Sequence, residues 1–251
     1  MIQVKSFFGK NDLRNFSYVI FDPASGKSWV IDPYDPEPIL TFLRSQGLNL
    51  EGILNTHQHW DHIRGNSLLQ SFFHCEARSI IPGKMKLDLR HSLESLATPG
   101  HTMDHQAYVW RSEEKELSLF SGDTLFNSGV GNCRGGGSVE LLFDSTMNLK
   151  KLSNETILYP GHDYLKRNLL FAQQCEPSNP FIQEALREVQ DAETEVNLAW
   201  TLGREKQVNP FLRLDSEEIR QKLLKKSESL DDPSLIEREL FKTLRTQRDN
   251  W

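Results

Sequence analysis

Apolar residues fall in short runs through the first half of the chain. Ile2–Phe8, Phe16–Phe21 and Ser28–Ile31 are rich in β-branched and aromatic residues and read as strands, with Pro23-Ala24-Ser25-Gly26 as the turn between the last two. Glu37–Gln46 spaces Ile39, Leu40, Phe42 and Leu43 at helical intervals and stops at Gly47, which predicts an amphipathic helix. Gly52–Thr56, Leu93–Thr98, Gln106–Trp110 and Leu117–Ser121 read as further strands, and Ile63–Phe73 as a helix. Strands interleaved with helices predict an α/β unit with layered sheets. After Pro177-Ser178-Asn179-Pro180 the period changes. Pro180–Trp200 carries Ile182, Ala185, Leu186, Val189, Ala192, Val196 and Ala199 on one helical face, with charges opposite. Ser216–Lys226 and Pro233–Arg248 are two more helical stretches, parted by Asp231-Asp232-Pro233. The division expected is residues 1–176 as the α/β unit and 177–251 as a helical one.

Composition changes this picture little. At 251 residues, with 37% hydrophobic and 25% charged residues, the chain can bury a substantial core. A net charge of −6 argues against general affinity for nucleic acid or anionic membrane, and no apolar run approaches the ~20 residues that span a bilayer. The N-terminus lacks a signal-peptide core and reads directly as a strand. Cys75, Cys133 and Cys175 are odd in number, far apart and without a CxxC pair, which fits free thiols in a reducing compartment, most simply the cytoplasm. Internal repeats, low-complexity tracts and phosphate-cradling glycine loops are absent from the sequence.

The chemistry gathers in Gly52–Asn66, GILNTHQHWDHIRGN. His57, His59, Asp61 and His62 stand within six residues, too close together for each ring nitrogen to find its own protein partner if buried. A metal ion resolves this. On a loop leaving a strand, His57 and His59 can approach one ion from two directions, while Asp61 and His62 are displaced enough to serve a second. Imidazole and carboxylate donors without thiolate suit zinc, iron or manganese rather than a cysteine-rich structural site. Three strand ends add further donors: His101 after Pro99-Gly100, Asp123 after Leu119-Phe120-Ser121-Gly122, and His162 after Pro160-Gly161. Together they suffice for two metals and a shared carboxylate.

These segments resemble the metallo-β-lactamase superfamily, whose THxHxDH signature is met by Thr56–His62. Within it, the chain resembles the hydroxyacylglutathione hydrolase (glyoxalase II) family through TPGHT (Thr98–Thr102), SGDTLF (Ser121–Phe126), YPGHDY (Tyr159–Tyr164), NLLFA (Asn168–Ala172), NPFLR (Asn209–Arg213) and LRTQRD (Leu244–Asp249). The resemblance implies an αββα sandwich followed by a helical C-terminal domain. It implies one metal on His57, His59 and His101, a second on Asp61, His62 and His162, and Asp123 between them, with Asp61 and Asp123 counted as catalytic. The implied cofactors are two divalent ions, zinc first, with iron or manganese as alternatives. The implied reaction is hydrolysis of S-2-hydroxyacylglutathione thioesters, such as S-lactoylglutathione, in methylglyoxal detoxification, with a small-molecule partner and no nucleic acid or membrane. Alternatives are a persulfide dioxygenase, a lactone or phosphodiester hydrolase of the same fold, or a non-catalytic metal-binding module. The oligomeric state stays open.

The resemblance further implies that Arg245 and Arg248 grip glutathione, helped by the Tyr164 hydroxyl. A planar guanidinium suits a carboxylate terminus. Arg238 and Lys242, on the same helix, read as a solvated basic face. In the loop after SGDTLF the family usually places a basic residue and then an aromatic one against glutathione, where this chain has Asn132 and Arg134. The run Gly135-Gly136-Gly137 predicts a looser loop there. His105 reads as a supporting or turn residue, and His74 and His91 as ordinary polar positions.

Overall fold

The computed structural model describes residues 2–78, 83–113, 115–191, 199–223 and 232–251. Among these, one sheet runs β1 (Gln3–Phe8), β2 (Phe16–Asp22), β3 (Lys27–Ile31), β4 (Asn49–Leu54) and β5 (Ala77–Arg78). The first three strands are antiparallel and the last two join in parallel. Helix α1 (Pro36–Ser45) enters behind Asp35, whose side chain accepts from the Glu37 N–H, with proline in its first turn. That is a standard start for a helix. The helix expected over Ile63–Phe73 is two: α2 (Trp60–Ile63) and α3 (Asn66–Phe73). They break at Gly65, where a Cβ would stand 2.7 Å from the Pro33 carbonyl oxygen.

The second sheet is built from β6 (Gly83–Lys86), β7 (His91–Ala97), β8 (Gln106–Ser112) and β9 (Lys115–Gly122), all antiparallel. A short hairpin, β10 (Leu125–Phe126) with β11 (Gly129–Val130), follows β9. Helix α4 (Val139–Lys150) then leads to β12 (Ile157–Pro160), which joins β9 in parallel at the sheet's edge. The sequence reading passed over α4. Its start is marked by Ser138, whose hydroxyl accepts from the Leu141 N–H.

Strict alternation sorts the strands between layers. Tyr18, Ile20, Trp29, Ile31 and Leu54 of the first sheet meet Leu93, Tyr108, Trp110 and Phe120 of the second. Their neighbours Val19, Phe21, Val30 and Ile53 face α1 and α3 through Ile39, Leu43 and Leu69. Ala107, Val109, Leu119 and Leu158 face α4 and the C-terminal helices. This is the expected αββα sandwich. Both faces of the central strands are buried, which is why they read as continuous apolar runs.

The remaining helices are α5 (Leu165–Cys175), α6 (Pro180–Asp191), α7 (Leu202–Val208), α8 (Glu217–Leu223) and α9 (Pro233–Asp249). The expected continuation of α6 through Ala192 and Val196, and of α8 beyond Leu223, lies outside the described residues, but Ala199 and Trp200, also expected on that helix, are not helical, and Ala199 takes a left-handed φ of 47°. Helices α5, α6 and α7 share a core of Leu165, Leu169, Ile182, Ala185, Val189 and Val208. Leu240, Phe241 and Leu244 of α9 pack into the cluster of the second sheet. Helix α9 therefore covers the outer face of the second sheet together with α4. No helix among the described residues is long and apolar enough to cross a membrane.

Candidate metal centre and substrate cleft

Each candidate ligand leaves the end of an element that the sandwich fixes. His57 follows β4, His101 follows β7, Asp123 follows β9 and His162 follows β12, while Asp61 and His62 lie on α2. The structure brings all seven residues together. His57 Nε2 and His101 Nε2 stand 3.0 and 3.1 Å from His59 Nδ1. His62 Nε2 and His162 Nε2 are 3.2 Å apart, and each is 3.6 Å from Asp61 Oδ2. Asp123 reaches both sets: Oδ2 lies 3.1 Å from His162 Nε2 and 3.5 Å from His101 Nε2, and Oδ1 lies 3.4 Å from His62 Nε2. His57–His59–His101 and Asp61–His62–His162 each offer donor atoms close enough to share one ion, as does the set His57–His62–Asp123.

The opposite ring atoms show why nitrogens converge. His57 Nδ1 is 3.0 Å from the Thr56 hydroxyl, and His62 Nδ1 is 2.8 Å from Asp32 Oδ2. His101 Nδ1 is 2.7 Å from the Asn132 carbonyl oxygen, and His162 Nδ1 is 2.8 Å from that of Leu13. A proton on each Nδ1 satisfies these acceptors and leaves the Nε2 lone pairs pointing inward, the arrangement that supporting bonds impose on metal-binding imidazoles. Lone pairs 3 Å apart cannot satisfy one another, and Asp123 Oδ1 is buried without a hydrogen-bond partner. Cations fit both needs.

The electrostatics agree. Asp32, Asp61 and Asp123 are all buried. Burial holds His57 in its neutral form, well below the usual imidazole range. Burial also opposes charge on His62, but Asp123 and Asp32 outweigh it and raise this group to about 9. For Asp123 burial is again outweighed, by His162 and His62, so its carboxyl falls well below the usual range. The field that holds a proton on His62 is a field that holds a metal cation.

Supporting residues that the sequence reading passed over explain the geometry. Asp32, at the end of β3 in a left-handed conformation (φ 48°), accepts from the Thr56 N–H at 2.8 Å and its hydroxyl at 2.6 Å as well as orienting His62. Asn15 donates to Asp61 Oδ2 at 2.9 Å. His105 is the supporting residue expected: its Nε2 accepts from the Asp123 N–H at 3.0 Å, and its Nδ1 lies 2.8 Å from the Thr98 hydroxyl. Burial lowers it to about 3, so it stays neutral. The glycine-rich loop is not loose where it touches the centre. A Cβ on Gly131 would stand 1.9 Å from the Asp123 carbonyl oxygen, and one on Gly137 2.0 Å from that of Gly100. These positions need glycine for close approach rather than for mobility.

Beside the centre opens a cleft of about 350 Å³, lined by Phe126, Asn132, Arg134, Tyr164, Arg245 and Arg248, among others. All five residues expected at a substrate thus line this one cleft, and two rings join it to the ligands. Tyr164 stacks on His162 (5.1 Å between centroids, 6° between planes), and Phe126 lies against both. Burial raises the Tyr164 phenol, so it stays a donor. Arg245 is almost wholly buried, with Nη1 donating to the Val130 and Gly131 carbonyls at 2.9 and 3.1 Å and Nη2 to Asp249. Arg248 donates to Asn168 Oδ1 at 3.1 Å and is less enclosed. Arg238 and Lys242 pair with Asp144 and Glu140 of α4.

The sandwich with this cluster at its strand ends is the fold of the metallo-β-lactamase superfamily. Residues 12–88 match the model described as Metallo-beta-lactamase superfamily. The metallo-beta-lactamase of Staphylococcus aureus subsp. aureus COL has the same fold, with a TM-score of 0.65 and 18% identity over 98% of this chain and 71% of that one. Fold and His/Asp cluster together imply divalent metal. Residues 163–251 match the model described as Hydroxyacylglutathione hydrolase C-terminus. The hydroxyacylglutathione hydrolase of Polaromonas sp. (strain JS666 / ATCC BAA-500) is 37% identical over 265 residues, and that of Nitrosococcus oceani 34% over 267, each match covering 99% of both chains. The chain belongs to the hydroxyacylglutathione hydrolase family.

Proposed function

We propose that this protein hydrolyses S-2-hydroxyacylglutathione thioesters, S-lactoylglutathione among them, to glutathione and a 2-hydroxy acid, the second step of methylglyoxal detoxification. One observation carries the reading: the His/Asp centre and an arginine-lined cleft are continuous through the Phe126, His162 and Tyr164 rings. A thioester carbonyl at the centre would place its peptide thiol in that cleft. Family membership supports the same substrate class.

Two divalent ions would be held, one by His57, His59 and His101 and the other by Asp61, His62 and His162, with Asp123 serving both. Zinc is the first choice, and iron or manganese would suit the same nitrogen and oxygen donors. Bound metal would supply a nucleophilic water at neutral pH and polarise the carbonyl. The chain's own part is orientation. Asp32, Thr56, Asn132 and Leu13 fix the imidazole tautomers, and Asn15 holds Asp61. Tyr164 would donate to the peptide, and Arg248 would grip a carboxylate. The leaving thiol, with a pKa of ~8.5, departs as thiolate without a general acid. Residues 1–176 carry every ligand named, and 177–251 bring the arginines of α9. The free thiols fit a cytoplasmic enzyme.

The test is a steady-state assay of thiol release from S-lactoylglutathione by purified, metal-replete protein. Saturable turnover supports the proposal. Metal-replete protein that releases no thiol contradicts it.

A further inference from the structure

The cleft holds more positive charge than Arg245 and Arg248 account for. Arg134, Arg167, Arg245 and Arg248 line it, against Asp12 and Asp249. Two of these arginines are engaged internally. Arg245 pairs with Asp249 at 2.9 Å, and Arg134 donates to the Asp249 carbonyl at 2.6 Å with its carboxylate 3.6 Å away. Arg167 and Arg248 form no ion pair among the described residues. They nonetheless stand together, with the Arg167 Cζ 5.9 Å and the Arg248 Cζ 5.2 Å from the centroid of the Trp251 ring. Phe171 lies edge-on to the same indole at 5.9 Å and 5.8 Å from the Arg248 Cζ.

Two guanidinium groups on one indole repel each other, and the aromatic face offsets only part of that repulsion. Burial, followed by the neighbouring Arg167 and Arg245, lowers Arg248 to about 10. Two cations that share one ring in the lining of a cleft, neither in an ion pair among the described residues, are matched by an anion. The loop position where a basic residue was expected is Asn132, whose side chain accepts from the Arg134 N–H and closes a turn.

We propose that Arg167 and Arg248, held against the Trp251 ring, form a paired-cation seat for a carboxylate of the peptide thiol, and that Arg167 is a specificity-determining residue. The proposal rests on the substrate class proposed above and adds the residue that supplies charge in place of Asn132. Arg167 lies on the exposed side of α5, so its replacement leaves the core intact. It is distant in sequence from α9, and only the fold brings the two together.

The experiment compares wild type, Arg167→Ala and Arg167→Lys with two substrates, S-lactoylglutathione and the carboxylate-free S-lactoyl-N-acetylcysteamine. A charge-assisted contact predicts that Arg167→Ala raises KM for S-lactoylglutathione about tenfold with little change in kcat. With the carboxylate-free thioester the ratio of variant to wild-type kcat/KM should stay within about twofold, and Arg167→Lys should restore part of the loss. Equal losses with both substrates, or no loss with either, overturn the seat while leaving the hydrolase reading intact. Calorimetric binding of S-methylglutathione separates the two claims. If wild type hydrolyses no glutathione thioester but binds this probe, and Arg167→Ala weakens that binding about tenfold, the seat stands and the reaction assigned is wrong. Absence of binding to wild type overturns the seat as well.

Discussion

The metal centre and the cleft beside it are built on opposite principles. At the centre, short side chains leave strand ends and α2, and four of the five imidazoles are anchored through their second nitrogen to a backbone carbonyl, a hydroxyl or Asp32. Glycines let main chain pass within touching distance of Asp123 and the loop after β7. In the cleft, long arginines reach in from α5, α9 and a loop, and Arg167 and Arg248 lean on the Trp251 and Phe171 rings. The first region holds its donor atoms 3.0 to 3.6 Å apart, the close positioning that bond-making requires. The second supplies charge with reach, which suits a part of the substrate that does not change in the reaction. Damage to the centre should therefore lower turnover, and damage to the cleft should lower affinity.

Asp123→Ala breaks the centre most severely, because Asp123 touches both donor sets. Metal content should fall, and activity should drop by about 100-fold or more; full stoichiometry with near-normal turnover would remove Asp123 from the site. Asp32→Asn comes next. It touches no substrate, yet it loses the acceptor that sets the His62 tautomer, and a change of about 10–100-fold in metal affinity is expected. Competition with a chelator reads this directly, and unchanged affinity would make Asp32 a simple turn residue. Arg248→Ala tests the other side of the comparison: KM for S-lactoylglutathione should rise about tenfold while kcat and metal content hold. Arg245 is the less informative target. Its bonds to the Val130 and Gly131 carbonyls brace the loop that carries Asn132, so Arg245→Ala should disturb both regions at once.

The smallest effect on catalysis is expected at Asn127 and Ser128, the turn between β10 and β11. Glu205 of α7 is wholly buried and accepts from the Asn127 side chain at 2.8 Å and the Ser128 N–H at 2.7 Å. Burial raises its carboxyl to about 7 against these bonds. A carboxyl raised in the folded state binds its proton more tightly there than in the unfolded chain. Its linkage contribution is therefore full below the unfolded value of ~4.3 and is lost as pH rises through about 7. Glu205→Gln, which cannot ionise, should gain stability relative to wild type between pH 5 and pH 8. Denaturant melts of the metal-replete proteins at both pH values measure this, and a constant difference would refute the assignment.

The comparison also explains what the sequence could disclose. Six of the seven centre residues are imidazoles or carboxylates packed into Thr56–His62 or placed after a Pro-Gly turn, and Asp123 ends an apolar strand, so local pattern was enough. The strands and the change of period after Pro177 were equally local. Asp32 and Asn15 were not legible, because each is a single polar residue whose partners lie 24 to 46 positions away. The glycine run suggested mobility since its neighbours in space, Asp123 and Gly100, belong to other loops. Arg167 carries no local signal in the sequence, because its neighbours Arg248 and Trp251 lie more than 80 positions away and only the fold brings them together. Helix α4 was missed although Ser138 marks its start, because the polar stretch Asp144-Ser145-Thr146 interrupts its apolar period.

If the chemistry resides in a divalent centre of seven residues, turnover must follow metal occupancy. Protein stripped with chelator is titrated with zinc, and turnover of S-lactoylglutathione is followed beside elemental analysis of each sample. Turnover that is absent at the start, rises with bound zinc and levels off at about two equivalents is the result expected of two donor sets sharing Asp123. Full turnover by metal-free protein would contradict it.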